Sequence, residues 1–206
     1  MIALSRRTLV AGAAGIVVVL ALGALGWVWV RTEQSRARAE YAGALARVRL
    51  AQAPQAKPED RAAAVRALEA MLARHPSSDA AGQAAHQLAA LRFDAGEYAA
   101  ARAAYTIAAA RASSATLRTL AQAGIGYTWE SERDYAKAVD AYGTALGRLN
   151  PTDFYYETLL MDLGRSQELA GKKTEAIATY RRLLKELPQA RRAQDVRARL
   201  TSLGAS

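Results

Sequence analysis

The stretch ERDYAKAVDAYGTAL, residues 132–146, decides the fold, because a short polar turn leads there into a helix with one regular face. Ala138, Tyr142 and Ala145 follow the turn at spacings of four and three residues, which keeps them on one side of an α-helix. Two other stretches repeat these offsets: 95–108 with Ala101, Tyr105 and Ala108, and 170–183 with Ala176, Tyr180 and Leu183. The spacing predicts three copies of one helical unit, in which alanine allows close helix contact and tyrosine fills the space between successive hairpins.

A first helix in a matching register is predicted before each turn. Its marker is an apolar residue beside a small one, at Leu88-Ala89, Ile125-Gly126 and Leu163-Gly164. We expect the apolar residue to pack inward and the small residue to let the partner helix approach. Asn150-Pro151 and Pro188 end the middle and last units, because proline cannot continue a helix. The sequence therefore predicts three consecutive helical hairpins.

These features resemble the tetratricopeptide repeat, whose order of apolar-Gly, turn, Ala, aromatic, Ala and Pro occurs at 82–115, 119–152 and 157–190. The resemblance implies an α-solenoid, in which each hairpin buries its apolar face against a neighbour. The units start 37 and 38 residues apart, whereas the consensus period is about 34 residues. Ser113 also stands where the terminal proline of the first unit is expected.

Partial elements flank the three units. Residues 59–78 keep the second-helix register through Ala64, Leu68 and Met71, with a matching first helix at 33–52. Residues 189–203 have the pattern of an amphipathic capping helix, which the end of a repeat array requires. The predicted fold is therefore all-α, with about four tetratricopeptide-type hairpins and a C-terminal cap, and the repeat domain occupies 59–206.

A membrane anchor is predicted at residues 9–30, which contain no charged side chain. As a helix this segment is about 33 Å long, and the hydrocarbon core of a bilayer is about 30 Å thick. Trp27 and Trp29 lie at its C-terminal end, as is typical of a membrane interface. The predicted organisation is a leader at 1–8, a transmembrane helix at 9–30 and a helical linker at 31–58.

The sequence leaves two questions about the predicted anchor open: whether it is retained or cleaved, and which way it is oriented in the membrane. The stretch Ser5-Arg6-Arg7-Thr8-Leu9 resembles a twin-arginine export signal, for which Ala37-Arg38-Ala39 would be the cleavage site. Arginines also lie on both sides of the apolar segment, so the positive-inside rule does not decide which side of the membrane holds the repeat domain.

Composition excludes several other classes. The chain has a formal net charge of +9 and no cysteine, which excludes a disulfide scaffold, a thiolate metal site and a cysteine nucleophile. The arginines are spread along the helices, so no nucleic-acid partner is expected. His75 and His86 lack the spacing of a zinc motif. No phosphate loop or nucleophile turn occurs. We therefore expect no catalytic, cofactor or metal site.

The whole layout is similar to that of membrane-anchored bacterial envelope proteins typified by the ancillary subunit of the SecYEG translocon. This resemblance implies a non-enzymatic inner-membrane protein whose periplasmic repeat domain contacts translocon subunits, chaperones or their clients. The alternatives are a membrane-anchored adaptor or assembly subunit with a cytoplasmic domain, and an exported repeat protein released by signal cleavage.

In such arrays the first helices line a concave groove that binds a peptide. The expected groove residues are His86, Phe93, Tyr127, Glu130, Met161, Arg165 and Glu168. Mixed aromatic, methionine and charged side chains suit an extended or helical peptide. Phe93 and Met161 have a second interpretation as interhelical core. A basic run in 181–199 is either a solvated face or a contact with anionic lipid or an acidic partner.

Overall fold

The computed structural model describes residues 6–205, with side chains from 19 onward. Nine α-helices and no strand occur in that part of the chain. The helices are α1 (Arg6–Ala51), α2 (Pro58–Arg74), α3 (Ala81–Asp94), α4 (Tyr98–Ala110), α5 (Ala115–Ser131), α6 (Tyr135–Leu146), α7 (Tyr156–Leu169), α8 (Lys173–Glu186) and α9 (Ala193–Ser202).

The helices stack in chain order as a solenoid of four hairpins. Hairpin 1 consists of 33–51 of α1 with α2, and hairpins 2, 3 and 4 pair α3 with α4, α5 with α6 and α7 with α8. Each helix packs on the next one in the sequence, and α3 also touches α5. Helix α9 packs on α8 through Val196 and Leu200, which are buried. The prediction of an all-helical tetratricopeptide-like solenoid is confirmed.

Helix α1 joins the apolar N-terminal segment to hairpin 1 without a break. Ala37, Ala44 and Val48 are buried at spacings of seven and four residues, which gives α1 one packed face. The helical part of the predicted linker therefore belongs to the solenoid and is not a spacer. Among the residues that the structure describes, we find no helix with the length and apolar character needed to cross a bilayer. The structure describes side chains only from residue 19 onward. The predicted leader at 1–8 and residues 9–18 of the predicted anchor therefore lie outside the described side chains.

A buried histidine holds α1 to the loop between α2 and α3. His75 Nδ1 lies 2.5 Å from Glu33 Oε1, and His75 Nε2 lies 3.4 Å from Glu40 Oε1. Arg74 pairs with the same Glu40 at 3.0 Å. The hydrogen bond that the ring of His75 donates to Glu33 raises the pKa of His75 above its ordinary value, and Glu40 adds to this shift. Protonated His75 is thus the form that the folded hairpin favours.

We expect this contact to make the stability of hairpin 1 dependent on pH. A histidine whose folded pKa is raised stabilises the fold fully below its unfolded pKa of about 6.5, and this contribution is lost as the pH rises through the folded value. Unfolding of the full chain in urea at pH 6 and pH 8.5 measures the effect. The His75→Gln variant is the control. Its free energy of unfolding is expected to fall less between pH 6 and pH 8.5 than that of the native chain. An equal pH dependence in both proteins would contradict the assignment.

Three-residue turns close hairpins 2, 3 and 4 in one conformation. The middle residue of each is left-handed, at Gly96 (φ 77°), Arg133 (φ 61°) and Gly171 (φ 74°). The next amide donates to the carbonyl five residues earlier, as from Glu97 to Arg92 at 2.9 Å. This is the Schellman geometry, in which glycine is preferred at the left-handed position. Arg133 occupies that position with a Cβ atom, which strains the backbone.

Replacing Arg133 with glycine is expected to raise the free energy of unfolding. Glycine removes the free-energy cost of the left-handed conformation but increases the conformational entropy of the unfolded chain. We expect the first effect to exceed the second by about 0.5 to 1 kcal/mol. Urea denaturation followed by circular dichroism measures the change. Gly171→Ala is the matched control at the equivalent position, and it is expected to lower stability by about 1 kcal/mol. A destabilised Arg133→Gly variant would show that the arginine side chain contributes more than its backbone costs.

Candidate peptide groove

Each of the last two hairpins is closed by a tyrosine ring lying on a glycine. The ring of Tyr142 in α6 covers Gly126 in α5, so that a Cβ atom on the glycine would lie 2.6 Å from Tyr142 Cδ1. Tyr180 in α8 covers Gly164 in α7 in the same way, at 2.8 Å to its Cζ. Both tyrosines are completely buried. The ring thus occupies the volume that any other side chain at the glycine would need.

The tyrosine hydroxyls bond to glutamates on the first helix of the same hairpin. Tyr142 donates to Glu130 Oε2 at 2.9 Å, and Tyr180 donates to Glu168. Each glutamate comes four residues after the glycine, one turn along the same face. Burial, with the neighbouring carboxylates, raises the pKa of both tyrosines. The phenols therefore stay neutral and act as donors. In both hairpins the glutamate lies four residues after the glycine, and the tyrosine lies sixteen residues after it. This spacing is visible in the sequence, but the role of the glutamate as acceptor for the tyrosine hydroxyl was not predicted.

Hairpin 2 has a different arrangement because Ala89 and Phe93 occupy the glycine and glutamate positions. The Tyr105 ring lies on Gly124 of the next hairpin, where a Cβ atom would be 2.6 Å from its Cζ. Its other neighbour is His86, edge-on at 5.5 Å between ring centroids. Burial raises the pKa of Tyr105 to about 12 and lowers the pKa of His86. Both rings are therefore neutral and act as packing groups at neutral pH.

A charged network joins the first helices of hairpins 3 and 4. Arg165 donates to Glu130 Oε2 at 2.9 Å and to Asp162 Oδ1 at 3.0 Å. Tyr127 donates to Asp162 Oδ2 at 2.7 Å, and its hydroxyl also lies 3.1 Å from that of Tyr155. Burial, with the hydrogen bond to Tyr155, raises the pKa of Tyr127. The network therefore uses one cation to hold two carboxylates that are largely shielded from water.

The same pairing recurs at the end of the array. Glu168 of α7 accepts from Arg199 of α9 at 3.2 Å, as Glu130 of α5 accepts from Arg165 of α7. In both cases the arginine lies on the helix that follows the hairpin of the glutamate. Helix α9 therefore packs on hairpin 4 in the way that the first helix of a fifth hairpin would. Asp162, Tyr155 and Arg199 were not among the predicted groove residues, because the sequence does not show which side chains meet across two hairpins.

The structure places most of the expected groove residues at a partly open surface. His86, Phe93, Tyr127, Glu130, Arg165 and Glu168 are half-buried. Met161 is only 6% exposed and packs in the core shared by hairpins 3 and 4, so its assignment to the groove is wrong. Phe93 packs edge-on against Tyr98 at 5.4 Å while keeping part of its ring accessible. The first-helix face therefore offers aromatic edges beside paired charges, which can contact a guest without leaving a buried charge unpaired.

The repeat-signature residues form the interior behind this face. The members that are buried are Leu88, Ala101, Tyr105, Gly126, Ala138, Tyr142, Gly164, Ala176 and Tyr180. Pro188 is exposed, just beyond the end of α8. The half-buried groove residues are thus supported from behind by the rings and alanines that set the helix spacing.

The model of one protein family matches the whole described part of the chain. It is the model described as a tetratricopeptide repeat-like domain, and it matches residues 6–205. No curated protein matches the chain.

Solved structures share the fold. The MamA protein superposes with a TM-score of 0.53 at 20% identity, covering 65% of this chain and 67% of that one. The nearly identical TPR-like repeats of a Podosopora anserina protein, described as a putative kinesin light chain, superpose with a TM-score of 0.54 at 14% identity, covering 83% and 96%. At these identities the similarity concerns the fold alone.

Proposed function

The chain belongs to the tetratricopeptide repeat-like domain family, and from this premise we propose that it is a non-enzymatic scaffold that binds protein partners along the first helices of hairpins 2 to 4. Domains of this fold are generally protein–protein interaction scaffolds. The observation that carries the proposal is the row of half-buried groove residues, with aromatic edges at Phe93 and Tyr127 and charges at Arg165 and Glu168. A row of this kind suits an extended or helical peptide segment.

Site-specific photocrosslinking tests the groove in the full chain. A photoreactive residue at Tyr127 or Phe93 is expected to capture a protein partner. The control position is Ala178, which is exposed on the second helix α8 and not on a first helix. Equal capture at Ala178, or none from any groove position, would contradict this assignment.

We propose that residues 9–30 anchor the protein in a membrane. The segment carries no charge, and all described side chains from 19 to 30 are exposed, with no solenoid helix covering them. Arg31 stacks on Trp27 at 4.6 Å, which places a cation beside an aromatic ring at the end of the apolar run. Extraction of membranes with alkaline carbonate tests the anchor. The chain is expected to stay in the membrane pellet, and its release into the supernatant would exclude the anchor.

The retained form of the anchor is favoured over the cleaved form by the packing of α1. Cleavage after Ala39 would remove Glu33 and the fully buried Ala37 from hairpin 1. Mass spectrometry of the mature protein distinguishes the two forms, because cleavage after Ala39 would give a chain that begins with Glu40. Detection of that shortened chain as the main species would overturn the retained anchor.

For location and partners we propose the bacterial inner membrane, with the repeat domain in the periplasm and translocon subunits, chaperones or clients as partners. The support is the layout of a single anchor followed directly by a repeat domain, which resembles the ancillary translocon subunit. Protease digestion of spheroplasts tests the orientation: a protected repeat domain would favour the alternative of a cytoplasmic adaptor.

A further inference from the structure

The proposed anchor enters the solenoid with no flexible connection. Val30 ends the apolar run, and Glu33, about 4.5 Å further along the helix axis, already contacts His75. Gln34 accepts a hydrogen bond from the amide of Asp79 at 3.0 Å, and Arg38 pairs with the Asp79 side chain at 3.0 Å. The loop between α2 and α3 is therefore held against the part of α1 that lies about 5 to 15 Å beyond the end of the apolar run along the helix axis.

The order of the helices divides the connecting segments between two edges. Because every connection is short, successive helices alternate in direction, and all connections between hairpins lie on the edge where α1 enters. We call this the proximal edge; it comprises 75–80, 111–114, 147–155 and 187–192. The turns within hairpins, at 52–57, 95–97, 132–134 and 170–172, form the opposite, distal edge.

Arginines without a salt bridge in the described part of the chain are not confined to the proximal edge, since Arg181 and Arg197 on helix faces and Arg133 on the distal edge make none. Arg102, Arg165 and Arg199 each pair with a carboxylate of a neighbouring helix. A second group lies on the proximal edge, and in the described part of the chain the side chains of this group make no salt bridge: Arg111, Arg148, Arg191 and Arg192. All four are exposed. Their charge is therefore available to a partner outside the chain.

The proximal edge also carries an exposed aromatic residue. Phe154, in the loop between hairpins 3 and 4, is 85% exposed, the highest exposure among the large apolar side chains that the structure describes. Arg148 and Tyr155 lie in the same loop, and the Tyr155 ring is 5.9 Å from that of Phe154. An exposed phenylalanine flanked by tyrosine and arginine has the chemistry of a membrane interface, where rings enter the headgroup region and cations meet phosphates.

We propose that the proximal edge docks on an anionic phospholipid surface, with Phe154 in the headgroup region and the four unpaired arginines facing lipid phosphates. This inference rests on the proposed anchor, which brings the edge to the membrane. A bilayer is favoured over an acidic protein because the first loop of the edge, 75–80, contacts α1 directly after the proposed anchor. Docking leaves the distal edge pointing to solution and fixes the orientation of the groove.

Spin labels in the full chain reconstituted into liposomes test the docking. The chain has no cysteine, so single cysteines label one site each. Thr152→Cys reports the proximal edge and Lys172→Cys the distal edge, at the other end of α7, about 21 Å away. Val28→Cys reports the anchor. All three native side chains are exposed. The measured quantity is the collision rate of each label with a water-soluble nickel chelate, in phosphatidylglycerol-containing and in pure phosphatidylcholine vesicles.

In anionic vesicles the label at 152 is expected to collide with the chelate at least about twofold less often than the label at 172. Pure phosphatidylcholine, or the added pair Phe154→Ser and Arg148→Glu, is expected to remove this difference. Equal rates at 152 and 172 with a protected label at 28 would overturn the docking and leave the anchor standing. A label at 28 that collides freely with the chelate would overturn both.

Discussion

Replacing Gly126 with alanine is expected to lower the free energy of unfolding by about 2 kcal/mol, although alanine is the better helix former by about 1 kcal/mol. The added Cβ atom would lie 2.6 Å from Tyr142 Cδ1. The ring has little room to move, because it is fully buried and packs edge-on against Tyr127 at 5.6 Å. Its hydroxyl is also held by Glu130 at 2.9 Å. Overpacking of this kind costs more than the gain in helix propensity.

Gly143→Ala is the matched control for this prediction. Gly143 is also inside a helix, but it is exposed, and a Cβ atom there would meet nothing within 4 Å. The alanine variant is expected to gain about 0.5 to 1 kcal/mol. Urea denaturation of the purified full chain in mild detergent measures both variants. If Gly126→Ala were as stable as Gly143→Ala, the ring of Tyr142 would not be fixed on the glycine, and the hairpin spacing would need another explanation.

The features that could be predicted from the sequence are those set by helical periodicity. The spacing of Ala138, Tyr142 and Ala145 indicates a buried face, because residues three and four apart share one side of a helix. The second helix of hairpin 1 was predicted for the same reason, from the register of Ala64, Leu68 and Met71. These residues are all buried in the structure.

Contacts between different hairpins were beyond the reach of periodicity. The sequence shows Ala89 where the later units have glycine, but it does not show that the Tyr105 ring then lies on Gly124 of the next hairpin. The meeting of Tyr127 with Asp162 likewise depends on the longer connection at 147–155, which sets the offset between hairpins 3 and 4. Met161 was misplaced because one turn of a first helix has residues on both the groove side and the core side, and one sequence does not distinguish them.

Removing the cation that joins hairpins 3 and 4 is expected to have the other large effect. The Arg165→Met variant keeps much of the side-chain volume but leaves the carboxylates of Glu130 and Asp162 without their shared partner. These side chains are only 13% and 9% exposed, so water can compensate little. A fully buried pair would cost about 3 to 5 kcal/mol on losing one partner. Because Arg165 is itself 39% exposed, we expect a smaller loss of about 2 kcal/mol.

Arg38→Met gives the matched comparison, because Arg38 pairs with Asp79 at the same 3.0 Å but with side chains 67% and 62% exposed. That substitution is expected to cost less than about 0.5 kcal/mol. A double-mutant cycle of Arg165→Met with Tyr127→Phe then separates the network from its parts, since both residues act on Asp162 and their losses are expected not to add. Strictly additive losses, or a cost for Arg165 no greater than that for Arg38, would mean that the two hairpins are held together by the tyrosines and alanines of the core. In that case the charges of the groove could bind a guest without weakening the array. If the losses instead are not additive, the network is coupled, and a partner must add contacts while leaving the Arg165 pairs intact.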